Sequence, residues 1–203
     1  MSQIPELMAG RALGHGIALA VDHGLGSGSK MYVGGQANAD VAAGTVLSAT
    51  ATEANLTEYA IPANTLVAGS SIRTRYAVVA SAVASGTDNL IVDLTLGTAL
   101  VGSGNESLVT NAVFDVDAVG DCALGDVVIQ IRTAGASGTA VAWGSLSNAD
   151  TSGVLAGLSY FKASFAINTT VLNYLAVTGK WSNSNANACT SQGFIVDIVN
   201  PST

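Results

Sequence analysis

His15 and His23 are the only imidazole bases in the chain, and both fall in a glycine-rich N-terminal stretch. Acyl transfer by a serine or threonine needs a base beside the nucleophile, normally histidine. No Gly-x-Ser-x-Gly elbow occurs, so the many Ser, Thr and Asn residues read as turn and strand-surface positions. The segment Gly24-Leu-Gly-Ser-Gly28 has the glycines of a phosphate loop without the GxGxxG spacing. No strong strand precedes it and no helix follows, so a linker is the better reading. We expect no enzyme and no cofactor.

The run from Asp115 to Asp126 comes closer to a cation site. It places Asp115, Asp117, Gly120 and Asp126 at positions one, three, six and twelve of an EF-hand-like loop, with Asp121 between. Position five is Val119, which offers no side-chain oxygen, and position twelve is Asp where a longer bidentate Glu is usual. The flanks look like strands, so an acidic turn is the leading reading. A Ca²⁺ loop using Asp115, Asp117, Asp121 and Asp126 is the alternative. Paired carboxylates also serve glycosidases, but sugar clefts of that kind are lined with aromatics, and these make up 5% of the chain. Arg73 and Arg75 share one face of a strand, and Asp93 lies on the next strand in sequence. That pattern predicts either a solvated face or a cross-strand ion pair at an interface. Cys122 and Cys189 form no CxxC pair and read as two small buried thiols, with a disulfide as the alternative. The triplets at Asn55, Asn105 and Asn168 match the glycosylation pattern by chance in a Ser/Thr/Asn-rich chain.

The elements that must carry these groups follow from composition and period. The 203 residues hold 7 Lys+Arg and 14 Asp+Glu, a net charge of −7, and charged residues are only 10%. An ordinary domain has about 25%. Nucleic-acid binding is excluded as an expectation, because neutralising phosphates needs clustered cations. A membrane span is not expected either, since the longest charge-free stretches are studded with Ser, Thr, Asn and Gly. The start has no basic region and its apolar run is broken, so no secretory signal is expected. An apolar content of 49% with so few charges suggests that part of the surface is covered by a neighbour.

Residues 1–44 hold 9 of the 23 glycines and read as an extended arm. Its apolar positions Ile4, Leu7, Met8, Leu13, Ile17 and Leu19 are the candidates for gripping another chain. From residue 45 to 203 the pattern changes to short alternating runs. Ile72, Thr74, Tyr76 and Val78 share a face opposite Arg73 and Arg75; Leu90, Val92, Leu94 and Leu96 oppose Asp93 and Thr95. Val127, Ile129 and Ile131 alternate with Gln130 and Arg132, and Phe194, Val196 and Ile198 form a further face. Period two with β-branched enrichment, separated by Gly, Ser, Asn and Asp turns, predicts nine or ten strands. The expected fold is all-β, an antiparallel β-sandwich of jelly-roll-like form with an extended glycine-rich N-terminal arm.

One stretch carries a resemblance. Glu58-Tyr-Ala-Ile-Pro-Ala-Asn-Thr-Leu-Val-Ala-Gly-Ser-Ser-Ile-Arg73, then Asp88-Asn-Leu-Ile-Val-Asp-Leu94, resembles tailed-bacteriophage virion proteins with a jelly-roll-like β domain. Val128-Ile-Gln-Ile-Arg132, the Gly135–Gly138 turn and Ala140-Val-Ala-Trp143 are similar to the same pattern, so about residues 45–182 are covered. The resemblance implies a capsid decoration (cement) protein on the virion surface. Its partners would be the major capsid protein and itself, as a homotrimer. The alternative it leaves open is a receptor- or carbohydrate-binding module of a fibre or tail appendage. The corner has its own physics: Pro62 fixes φ, Asn64 suits a turn, and Gly69 permits positive φ before the next strand.

Overall fold

A computed structural model describes residues 32–39, 43–84, 86–102, 105–149 and 155–201. Every element in them is a strand: β1 (Tyr32–Ala39), β2 (Val46–Ser48), β3 (Ala54–Ile61), β4 (Ser71–Ala82), β5 (Asn89–Gly97), β6 (Asn105–Asp115), β7 (Cys122–Thr133), β8 (Gly138–Ala149), β9 (Leu155–Ile167), β10 (Asn173–Trp181) and β11 (Ala188–Pro201). They form an antiparallel β-sandwich. The larger sheet runs β1-β11-β4-β7-β8-β9, with β2 also on β11; the smaller runs β3-β10-β5-β6. The chain crosses between sheets at β2–β3, β3–β4, β4–β5, β6–β7, β9–β10 and β10–β11, as a jelly-roll-like sandwich requires.

Alternation decides which face closes on the core. Leu90, Val92 and Leu94 from the smaller sheet meet Ile129 and Ile131 from the larger, and each is at most 1% exposed. Leu175, Val177, Trp181, Phe194 and Val196 fill the same layer. Each such side chain contributes about 1.5–3 kcal/mol on burial. Tyr76 reaches across to β7, where Gly125 makes room for it: a Cβ there would stand 2.3 Å from the Tyr76 ring. At the open rim the two sheets are clasped by the Lys162–Glu106 ion pair, and Lys162 Nζ also donates to the Ser107 carbonyl at 2.7 Å.

The corner between β3 and β4 behaves as its residues dictate. Asn64 has φ 63° and Gly69 φ 91°. Ser70 Oγ accepts from the Val67 amide and donates to Asn200 Oδ1, while Asn200 Nδ2 donates to the Thr65 carbonyl. The corner is thereby tied to the end of β11.

Within the expected arm, Tyr32–Ala39 is strand β1, paired antiparallel to β11 from Tyr32↔Pro201 to Ala39↔Ile195. Gly44 N donates to the Ser191 carbonyl at 2.8 Å. The arm positions Ile4, Leu7, Met8, Leu13, Ile17 and Leu19 lie outside the described residues. Cys122 and Cys189 are both free thiols. Cys122 pairs with Val79 and Cys189 with the adjacent Ala80, so β4 runs between them and they point to opposite faces of one sheet. Burial pushes the Cys189 thiol up to about 12.

Leu94 has no exposed surface and sits at the centre of the smaller sheet. Leu94→Ala is expected to cost about 2–5 kcal/mol in equilibrium denaturation. A change within about 0.5 kcal/mol, the range of ordinary surface sites, contradicts this register.

Candidate functional site

The outward face of the larger sheet is built by the residues that alternate with the core positions. Two adjacent rows cross it. One runs Asp197–Arg73–Val128–Trp143–Phe161, each residue paired with the next across neighbouring strands. The other runs Ile195–Arg75–Asp126–Ser145–Ser159. Phe161 is 70% exposed and Trp143 39%, both in mid-strand rather than at loop tips. Beside them a shallow depression of about 240 Å³ is lined by Arg75, Leu124, Asp126, Ser145 and Ser147.

Asp126 organises this face. Its Oδ1 accepts from Arg73 Nε at 3.1 Å, and its Oδ2 from Arg73 Nη2 at 2.6 Å and Arg75 Nε at 3.2 Å. The two-point contact with Arg73 is the strong, planar form of the pair. The Arg73 hydrogen bond holds the Asp126 carboxyl below the usual carboxylate range, and the same bond raises the Arg73 guanidinium.

The alternative that Arg73 and Arg75 pair with Asp93 is therefore corrected. The β4–β5 connection crosses from one sheet to the other, so Asp93 faces outward on the opposite side of the sandwich, beside Ile91. The carboxylate that meets the arginines comes from β7, three strands after β4 in sequence but next to it in space.

The acidic run likewise divides by location. Asp121 is buried and its Oδ2 accepts from the amides of Asp117 and Ala118, both at 3.0 Å, closing the β6–β7 turn. The Asp115 carbonyl accepts from Asn148 Nδ2. Asp126 is turned to the arginines. Asp115, Asp117, Asp121 and Asp126 are not gathered at one point, and among the described residues no group of three His, Cys, Asp or Glu could hold a metal ion. His15 and His23 lie outside the described residues.

A second polar cluster escaped the sequence reading. Asp88, 1% exposed, accepts from Asn183 Nδ2 at 2.7 Å, Asn185 Nδ2 at 2.6 Å and Asn187 Nδ2 at 2.7 Å. Asn187 Oδ1 in turn accepts from the Ala84 amide. The signal was the alternation Asn183-x-Asn185-x-Asn187, which puts three carboxamides on one side of the β10–β11 loop. The cluster fastens that loop to the β4–β5 loop. The two tryptophans separate as well: Trp181 is in the core, while Trp143 is on the open sheet face.

No family model matches the chain, and no curated protein does. Solved structures similar to it include a Lotus tetragonolobus seed lectin isoform, at 9% identity and TM-score 0.38, over 88% of this chain and 96% of that one. Lectin UEA-II complexed with galactose is similar at 15% identity and TM-score 0.35, over 82% and 92%. The structure of infectious bursal disease virus Gx strain is similar at 12% identity and TM-score 0.28, over 96% of this chain and 40% of that one. At such TM-scores these likenesses carry no argument about function.

The Asp88 cluster makes an acid-range statement. Hydrogen bonds from Asn183, then Asn185, lower the Asp88 carboxyl despite its burial. A group lowered on folding stabilises fully above its unfolded value, about 3.9, and the contribution is lost as pH falls through the lower folded value. Thermal melts of the wild type should hold steady from neutral pH to about pH 4 and fall below it. Asp88→Asn should melt lower at pH 7 and lose less on acidification. Equal acid sensitivity in both proteins contradicts the assignment.

Proposed function

We propose that the chain is a non-enzymatic structural protein of a tailed-phage virion, a capsid decoration (cement) protein that binds across capsid subunits and stabilises the head. Its proposed partners are the major capsid protein and further copies of itself, in a homotrimer. The observation that supports this is how the N-terminal region joins the sandwich. β1 adds to β11 at the rim of a domain whose core is already closed between two sheets. The residues before β1 carry the apolar Ile4, Leu7, Met8, Leu13, Ile17 and Leu19, the candidates for gripping a neighbour. Six such side chains buried on a neighbour supply on the order of 10 kcal/mol gross. The resemblance of the Ile61–Arg73 corner to virion proteins points the same way.

A second reading, a receptor- or carbohydrate-binding module of a fibre or appendage, is favoured by one observation. Phe161 and Trp143 lie open beside Arg75, Asp126 and Ser145 on a sheet face.

Deleting residues 1–31 keeps β1 and should leave the sandwich folded by circular dichroism. Co-sedimentation with purified capsids should drop at least tenfold. Unchanged retention of the truncated protein contradicts the strap.

A further inference from the structure

We propose that the outer face of the larger sheet is an oligosaccharide site, with one sugar ring stacked on Trp143 and Phe161 and the next seated over Asp126, Arg75, Ser145 and Ser147. This rests on the second reading above and does not require a virion location.

The aromatic half of the site comes first. The chain holds only 2 Trp, 5 Tyr and 4 Phe, yet two of these eleven rings are cross-strand partners on an open face. Neither ring closes the core: the buried hydrophobic residues described on β8 are Ala140, Val141, Ala142 and Leu146, and on β9 Phe165 and Ile167. A cross-strand pair of rings is a flat apolar platform, and the C–H face of a pyranose packs on such a surface.

The polar half adjoins it at strand spacing. Ser145 follows Trp143 by two residues on the same face of β8, about 7 Å along the strand. The polar groups therefore lie beyond the ring stacked on Trp143 rather than within its own footprint. Each sugar hydroxyl donates and accepts, so it needs both kinds of group nearby. The serines do both, Asp126 accepts, and Arg75 donates. An ionised carboxylate has about four acceptor positions, and the arginines occupy three of those on Asp126. Arg75 engages Asp126 through Nε, so its terminal nitrogens are left for another acceptor. The ion pairs hold these groups in place before any ligand arrives, which lowers the ordering cost of binding.

Trp, Phe and Arg are also enriched at protein interface cores, so a protein partner is the rival occupant that the capsid-retention arm of the test separates. The depression, about 240 Å³, is below the usual range for drug-sized ligands and suits a single ring.

The test uses the full chain. Affinity electrophoresis in gels containing dextran, xylan or bacterial O-polysaccharide is combined with an array of defined oligosaccharides. Wild type should be retarded or captured by at least one glycan. Trp143→Ala and Phe161→Ala, each shown to be folded by circular dichroism, should weaken that binding at least tenfold. Val113→Ala, at a position 55% exposed on the opposite sheet, should leave it unchanged. Phe161→Ala keeps the test decisive if Trp143→Ala does not fold, since Phe161 is the more exposed ring. Absence of binding to every glycan overturns the proposal. So does glycan binding that both variants retain, or a loss of capsid retention in the two variants in place of glycan binding. Loss of glycan binding with capsid retention intact supports it and leaves the virion reading to the deletion experiment.

Discussion

The pairing register of β7 with β8 is the constraint on which the rest depends. Val127, Ile129 and Ile131 on β7 face the core with Ala140 and Ala142 on β8. With period two, burying those five residues forces Asp126, Val128, Trp143 and Ser145 to the other side. A one-residue slip of β7 would turn an arginine-bound carboxylate inward and three branched apolar side chains out to water, and the same slip of β8 would send an indole inward. No local preference of Trp143 places it on the surface. Its neighbours' need for the core does.

The same logic explains why charge is concentrated on few positions. A sandwich this apolar uses its charged residues where they fasten elements together. Asp126 joins β4 to β7 through two arginines, Lys162 and Glu106 close the rim between β9 and β6, and Asp88 gathers three asparagines from another loop. The first lies on a half-exposed face, where water screens it and an ion pair contributes little to stability. Its consequence is geometric: it fixes side chains beside an aromatic pair. The buried side chains that stabilise the fold and the fixed polar and aromatic groups therefore lie on opposite faces of the same strands.

Much of this was legible in the residues. The alternation at Leu90–Leu96 and Val127–Ile131 identified strands and their buried faces, and Asn64 and Gly69 adopt the positive φ that their types allow. What was not legible was adjacency. Arg73 and Asp93 sit on consecutive strands, but nothing local to either reports that the chain changes sheets between them. β1 was hidden for another reason. Tyr32–Ala39 contains Gly34 and Gly35 and shows no alternation, so its strand character comes from the edge of β11 rather than from its own side chains. The Asp88 cluster joins residues about a hundred positions apart, which no spacing rule connects.

The outward placement of Trp143 can be measured directly, because the protein has two tryptophans in opposite settings: Trp143 at 39% exposure and Trp181 at 1%. Iodide quenching of the fluorescence should resolve one accessible and one protected population. Trp143→Phe should remove the accessible one and leave the protected emission unchanged. Two protected tryptophans in the wild type, or quenching that survives Trp143→Phe, would contradict an open aromatic face on the larger sheet.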